Sequence, residues 1–331
     1  MLDIKFIREN PELVQDAAKA KKATVDIVHL LEVDKKKSEL HQVLQSFQEE
    51  RNAVVKGITG KPTDEQIAKG KEIKEKLEKV EKEFNAVKEE LEILMDKVPN
   101  VPHESVPLGK DESENVEIRK WGEPKKFDFK VRDHIEIGEI IGGIDMESSA
   151  RITGSRFAYL KGDVALLQFA LLQFAFEILT NEEKLRPLAD SVEKGYSTKP
   201  FIPVIPPVMI RPEIFAKMGR LEPKEERYYI PQDDLYLIGS AEHTLGPLHM
   251  DQILSEKELP IRYIGYSTAF RREAGSYGKD TRGMIRVHQF DKSEMETYTT
   301  PENSVKEQDF IVAIQEYFMQ QLGIPYRVMM I

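Results

Sequence analysis

No cysteine occurs anywhere in the 331 residues. Disulfides, cysteine-ligated zinc and a thiol nucleophile are therefore excluded. Nor is there a run of 18 or more apolar residues: the longest stretch, Val164 to Phe176, is interrupted by Gln168 and Gln173, so no membrane span is expected. Neither a Gly-x-Gly-x-x-Gly string nor a Walker A string is present, which disfavours a Rossmann-type or P-loop nucleotide site. The opening Met1-Leu2-Asp3-Ile4-Lys5 lacks an apolar core behind a basic stretch, so the expectation is no signal peptide and a cytoplasmic protein. A basic surplus is missing as well, with 48 Lys and Arg against 58 Asp and Glu and a net charge of -10. A general nucleic-acid coat needs the opposite balance, so any RNA contact must be a local patch. His243, His249 and His288 do not fall at metal-ligand spacing, and no metal site is expected from them.

The chain is long enough for two domains, and its first hundred residues differ in kind from the rest. Ile73, Leu77, Val80, Phe84, Val87, Leu91, Leu94 and Val98 step by four and three alternately, a heptad seam with Lys and Glu filling most other positions. A weaker seam runs through Leu30, Val33, Lys37, Leu40, Leu44, Phe47, Arg51, Val54 and Ile58, where the two charged stems can lie along the apolar stripe. Gly57, Gly60, Pro62 and Gly70 break the pattern between them, with Thr63 or Asp64 as an N-cap for the helix that carries the stronger seam. Two long antiparallel helices folded on each other are the economical solution. Residues 1–100 carry 19 basic and 21 acidic side chains, so the arm is nearly neutral. Lys19, Lys21, Lys22 and Lys35 to Lys37 are its candidate RNA contacts.

From Val101 to Lys130 the sequence is polar and punctuated by Pro and Gly, which marks a linker leading into a second domain at 131–331. There strands and helices mix without regular alternation, so a mostly antiparallel sheet is expected. A helix is expected around Val164 to Leu179. The run Phe201 to Met209 contains Pro203, Pro206 and Pro207, which points to an edge or end strand.

The most informative feature is a strand–loop–strand. Tyr263 to Phe270 reads as a strand, Gly275-Ser276-Tyr277-Gly278-Lys279-Asp280 as turn chemistry, and Ile285 to Tyr298 as the returning strand. It carries Arg271, Arg272, Glu273, Arg286 and Phe290. Guanidiniums present planar forks of donors to polyphosphate oxygens, a carboxylate accepts from an exocyclic amine, and a phenyl ring stacks on a base. The hairpin is therefore a candidate nucleotide site.

Phe270-Arg271-Arg272-Glu273, the glycine-bearing loop and Arg286-Val287-His288-Gln289-Phe290 together resemble motif 2 of class II aminoacyl-tRNA synthetases, in its seryl-tRNA synthetase version. The opening Met1 to Pro11 and Gly154-Ser155-Arg156-Phe157 are similar to the same family. The resemblance implies an α+β fold: an antiparallel coiled-coil arm (1–100) that binds tRNA, then a class II antiparallel sheet domain flanked by helices. It implies ATP-dependent activation of L-serine, transfer to tRNA(Ser) and to tRNA(Sec), and a homodimer with Phe201 to Met209 as motif 1. It assigns Ser240, where the family usually has Thr, Glu242, Arg271 and Glu294 to serine. Arg271, Arg272, Glu273, Arg286, Val287, His288, Gln289 and Phe290 are assigned to ATP, with Arg271, Glu273 and Arg286 catalytic. Glu242 would meet the ammonium and Glu294 the hydroxyl; Arg271 would hold the carboxylate and α-phosphate. Glu273 would receive the adenine amine, Phe290 would stack on the ring and Arg286 would clamp the terminal phosphate. Lys279 and Arg282 could meet the acceptor end of tRNA.

The last residues, Gly323 to Ile331, read as a strand cut short. In the family roughly a hundred residues come after this point, carrying motif 3 and the Mg2+ ligands, so the fold and the phosphate clamp are expected to be incomplete in this chain. Two readings stay open: a serine–tRNA ligase represented by part of its sequence, and a non-catalytic, synthetase-like protein that binds RNA or a partner. The joint presence of Ser240, Glu242, Arg271, Glu273 and Glu294 favours the first.

Overall fold

A computed structural model describes residues 2–57, 63–273 and 283–331. The chain divides into two compact units, one formed by Met1–Ile118 with Met329–Ile331 and the other by Arg119–Val328. The stretch that reads as a linker holds a 3-10 turn at Glu112–Glu114 and an exposed strand at Val116–Trp121.

In the first unit two short helices, Ile4–Glu9 and Pro11–Ala20, precede the long ones at Ile27–Lys56 and Asp64–Asp96. These last have 30 and 33 residues, about 45 and 50 Å at 1.5 Å per residue. Asp26 caps the first through the amides of Val28 and His29, and Thr63 caps the second in a capping box with Gln66. The helix expected to reach Ile58 ends at Lys56 on a Gly57 cap; Ile58, Gly60 and Pro62 lie outside the described residues. Both seams are apolar where they meet. Val87, Leu91 and Val98 join Leu30 and Val33 and the two short helices at one end, while Ile73 and Leu77 meet Leu44 further along. Lys37 is half-buried along this seam, whereas Arg51 is exposed rather than lying along it.

Charged pairs give the register directly. His29 faces Glu90 at 3.3 Å, Lys36 faces Glu83 at 3.0 Å and Lys69 faces Glu50 at 3.5 Å. Each heptad gained on one helix is a heptad lost on the other, as antiparallel pairing requires. Such exposed pairs add little stability, so the apolar seams supply the packing. At the base, half-exposed Arg8 reaches the buried Asp34 at 2.7 Å.

The second unit is built on a ten-residue strand, Ile261–Phe270, paired antiparallel along its whole length with Gln289–Tyr298 and parallel with the short strand Ile202–Val204. The returning strand begins at Gln289 rather than at the expected Ile285. Ile285 is exposed, and His288 is tied to other segments by its N–H bond to the Arg156 carbonyl. The expected edge strand is Ile202–Val204, with Pro203 on the sheet's margin. A second antiparallel sheet combines Met209–Ile210, Leu235–Leu237 and Tyr229–Ile230.

The two faces of the long pair have different partners. Ile264 lies in a core with Phe201, Leu179, Leu185 and Ala189, closed by Phe310 and Ile314 of the helix Ser304–Gln321. Arg262 is buried on this face. Its Nε and Nη2 donate to Glu307 at 2.5 and 2.8 Å, and its Nη1 donates to the carbonyls of Ser197 and Lys199 at 3.0 and 2.8 Å. The Tyr196 hydroxyl donates to Glu307 at 2.6 Å, and the Phe310 ring lies 4.4 Å from the guanidinium. A buried ion pair is tolerable only when its remaining donors and acceptors are met, and these are. On the opposite face the short helix Glu242–Leu245 rests directly on the strand at Gly265. A Cβ there would lie 2.3 Å from Leu245 Cδ1 and 3.1 Å from Ala241 Cβ.

No single helix among the described residues is long and apolar enough to cross a membrane; Asp163–Leu179 with Glu182–Val192 passes only as a pair bent by 67°.

Removing one partner of a buried pair strands the other. Arg262→Met and Glu307→Leu are each expected to lower stability by about 3–5 kcal/mol in urea titrations. The double substitution is expected to lose clearly less than the sum of the two.

Candidate active site

Register alone places much of the site. Gly265 pairs with Glu294, Ser267 with Lys292, Ala269 with Phe290 and Tyr263 with Glu296. Side chains alternate across a strand, so Phe290, Lys292, Glu294 and Glu296 share the face that carries the helix Glu242–Leu245. The segment before that helix folds over them, held by the Phe270 amide donating to the Ile238 carbonyl at 2.8 Å.

Ser240 is buried at the centre. Its Oγ donates to Glu294 Oε2 at 2.6 Å and accepts from Lys292 Nζ at 3.1 Å and from the Glu242 amide at 3.3 Å. Lys292 also ion-pairs with Glu294. Glu242 is paired with Arg220 at 2.5 Å. Each carboxylate expected to meet serine thus already has a cationic neighbour.

Arg271 extends from the end of the strand. Its Nε donates to the Gly239 carbonyl at 3.1 Å and its guanidinium lies 5.2 Å from the centre of Phe290. His288 fixes the backbone at this point: its carbonyl accepts from the Arg271 amide at 3.0 Å and its Nδ1 meets the Arg271 carbonyl at 2.9 Å. Arg286 reaches Glu273 at 3.3 Å, so these two expected ATP residues engage one another. Arg272 lies over Tyr228, 5.8 Å from the ring centre. Glu273 and Arg156 both have positive φ, 51° and 63°, and Arg156 Nη1 donates to the Glu273 carbonyl at 3.1 Å. Two non-glycine residues held in this costly region, in contact with each other, mark an over-determined site. Val287, Gln289 and Phe290 line a cavity of about 480 Å³ together with Phe157, Tyr159 and Phe169. Ser240, Glu242 and Glu294 do not line it, nor do Arg271, Arg272, Glu273, Arg286 and His288 of the expected ATP set, so it holds only part of that set. The loop candidates Ala274 to Asp280 and Arg282, Lys279 among them, lie outside the described residues.

Four charged groups of the site are absent from the residues expected from the sequence: Arg220, Arg227, Lys292 and Glu296. Burial presses the Arg227 guanidinium down, and neighbouring Arg271 and Arg220 add to it. Burial, then Arg227, Arg220, Arg271 and Lys292, hold His243 at about 4. His243 is thus neutral, and its Nδ1 accepts from the Gly239 amide at 3.1 Å while its ring meets Phe215 at 4.7 Å. Glu296 is pushed up to about 7, first by burial and then by Glu242 and Glu294, with Arg220 opposing. Period-two alternation would have put Lys292 and Glu296 on the face of Glu294; nothing in the sequence ties Arg220 to Glu242.

Residues 1–102 match the seryl-tRNA synthetase N-terminal domain, and residues 226–331 match the tRNA synthetase class II core domain (G, H, P, S and T). The serine–tRNA ligase of Thermodesulfovibrio yellowstonii is 38% identical over 337 residues, covering 99% of this chain and 76% of that protein. Among solved structures, seryl-tRNA synthetase from Pyrococcus horikoshii complexed with ATP superposes with a TM-score of 0.82 at 36% identity, covering 99% of this chain and 76% of that one. Cytoplasmic serine–tRNA ligase from Naegleria fowleri in complex with AMP gives 0.80 at 28% identity, with 99% and 74% covered.

The raised Glu296 carboxyl has a signature in stability. The folded state binds this proton more tightly than the unfolded chain. The associated stability is therefore complete below its ordinary value of 4.5 and is lost as pH rises to about 7. Glu296→Gln is expected to be more stable than the unsubstituted protein at pH 8 by about 1–3 kcal/mol, converging with it near pH 4.5. Urea midpoints across that window measure this; a constant difference would contradict it.

Proposed function

The chain belongs to the seryl-tRNA synthetase family of class II synthetases, and on that premise we propose that it activates L-serine with ATP and esterifies it to tRNA(Ser) and tRNA(Sec). The single observation that carries the amino-acid specificity is the Ser240–Glu294 hydrogen bond at 2.6 Å, with Glu242 alongside on its short helix. A buried acceptor aimed at a substrate hydroxyl rejects analogues lacking it far better than an apolar pocket rejects an added methylene.

In the proposed reaction the serine carboxylate attacks the α-phosphorus of ATP and pyrophosphate leaves. A terminal ribose hydroxyl of tRNA then attacks the carbonyl of seryl-adenylate. No covalent enzyme intermediate is needed. Catalysis is positioning and charge neutralisation. Glu242 meets the ammonium, and Glu294 accepts the serine hydroxyl. Arg271, held against Phe290 and the Gly239 carbonyl, faces the carboxylate and α-phosphate. Arg286 and Glu273 separate when the terminal phosphate and the adenine amine take their places, with the ring on Phe290. Arg272 lies alongside; Val287, His288 and Gln289 shape the strand that carries these groups. A Mg2+ ion arriving with ATP would add to the charge neutralisation; among the described residues no three His, Asp or Glu side chains converge to hold one.

The helical unit formed by the first hundred residues is the proposed tRNA-binding arm, with residues 131–331 as the catalytic domain. A homodimer is supported by apolar side chains left open on the helix Asp163–Leu179. Leu166 is 64% exposed, Leu167 57% and Phe169 59%, and Ile205 beside the edge strand is 84% exposed. A cytoplasmic location is part of the same proposal.

Serine-dependent exchange of pyrophosphate into ATP tests the activity. Exchange with serine and none with alanine is expected, and Glu294→Ala is expected to lower kcat/KM for serine by about a hundredfold or more. No exchange from this chain, nor from a longer chain containing it, would overturn the proposal. Leu167→Glu with Phe169→Glu is expected to convert a dimer to a monomer in sedimentation equilibrium.

A further inference from the structure

Lys292 belongs to no expected set of site residues, yet it touches two of them at once. Its Nζ donates to Ser240 Oγ at 3.1 Å and ion-pairs with Glu294, while Ser240 Oγ donates to the same Glu294 oxygen. Ser240 Oγ also accepts from the Glu242 amide at 3.3 Å. Two donors therefore point at this oxygen, which forces its single proton toward Glu294. The contacts of Lys292 and Ser240 both fall on Oε2 of Glu294, so Oε1 is the oxygen offered to a ligand. Ser267 sits across the strand pair from Lys292, and its hydroxyl is buried with no hydrogen-bond partner among the described residues. The Lys292 ammonium is thus placed by Glu294 and Ser240 rather than by the nearest hydroxyl on the neighbouring strand.

Charge explains why a cation should stand there. Serine brings one ammonium and a neutral hydroxyl. The pocket holds the carboxylates of Glu242 and Glu294, with Arg220 paired to the first and Lys292 to the second. Without Lys292, Glu294 would present an uncompensated negative charge to the substrate side chain, and a second ammonium would suit it better than a hydroxyl.

We propose that Lys292 is a specificity-determining residue: by compensating Glu294 and fixing the proton of Ser240, it makes the side-chain subsite select a neutral hydroxyl over a β-ammonium. The inference rests on the reading of this pocket as a serine site.

The test compares L-serine with L-2,3-diaminopropionate, in which an ammonium replaces the hydroxyl. Serine-dependent pyrophosphate exchange is measured for the unsubstituted protein, Lys292→Met and Lys292→Arg. Lys292→Met is expected to lower the serine-to-diaminopropionate ratio of kcat/KM by roughly tenfold or more, the scale of a close charge contact at a partly desolvated site. Lys292→Arg is expected to restore most of the ratio, because it returns the charge. Where Lys292→Met is too slow to assay, calorimetric binding of the two amino acids gives the same ratio without catalysis. An unchanged ratio in Lys292→Met, or an equal fall in both variants, overturns the role of charge. Absence of serine-dependent exchange both by the unsubstituted protein and by a longer chain containing it overturns the serine-site reading and this inference with it.

Discussion

The register of one antiparallel strand pair governs the second unit. Ten consecutive pairings fix Ile261–Phe270 against Gln289–Tyr298, and each residue is thereby committed to one of two faces. Arg262 and Ile264 go to the packed side, Gly265 and Glu294 to the open one. A slip of a single residue would exchange the faces. It would drive carboxylates into the core around Phe310 and pull Arg262 from Glu307. The bidentate pair beneath the sheet and the glycine above it both act as locks, because each fits only one register.

On the open face, substrate recognition and electrostatic balance are the same problem. Burial first, and then the neighbouring charges of Glu242 and Glu294, raise the Glu296 carboxyl. Arg220 and Lys292 offset two of the three. Arg227, and Arg271 against Phe290, turn the adjoining surface toward anions, and their charge together with burial keeps nearby His243 neutral. A molecule carrying an ammonium at one end and a polyphosphate at the other matches that division.

Much of this is legible in the sequence where a pattern repeats. The heptads from Ile73 to Val98 specify a helix and a seam because little besides a helix pairing along one stripe produces sustained seven-residue spacing. The long hairpin is plain from its strand and turn residues. The positions of Ser240, Glu242, Arg271 and Glu294 come through a family resemblance, not through periodicity. What stays hidden is long-range. Nothing local joins Arg220 to Glu242, or Arg156 to Glu273, since those contacts depend on how separate loops cross the sheet. Local pattern also misplaces the start of the returning strand: Ile285 has strand character but no sheet neighbour. Arg51 falls on a heptad position yet points to water, because a long charged stem is free to turn outward.

The stepped pairing of His29 with Glu90, Lys36 with Glu83 and Glu50 with Lys69 constrains how such an arm can change over evolutionary time. Adding one heptad to a single helix would shift every later pair out of phase, whereas adding one to each helix at equivalent heights preserves all of them. Deletions obey the same symmetry. Length variation among related arms should therefore come as matched, whole-heptad changes on both helices, or be confined to the connection between them. The reach of the arm is in this sense quantised, and unpaired length changes are the ones selection should remove.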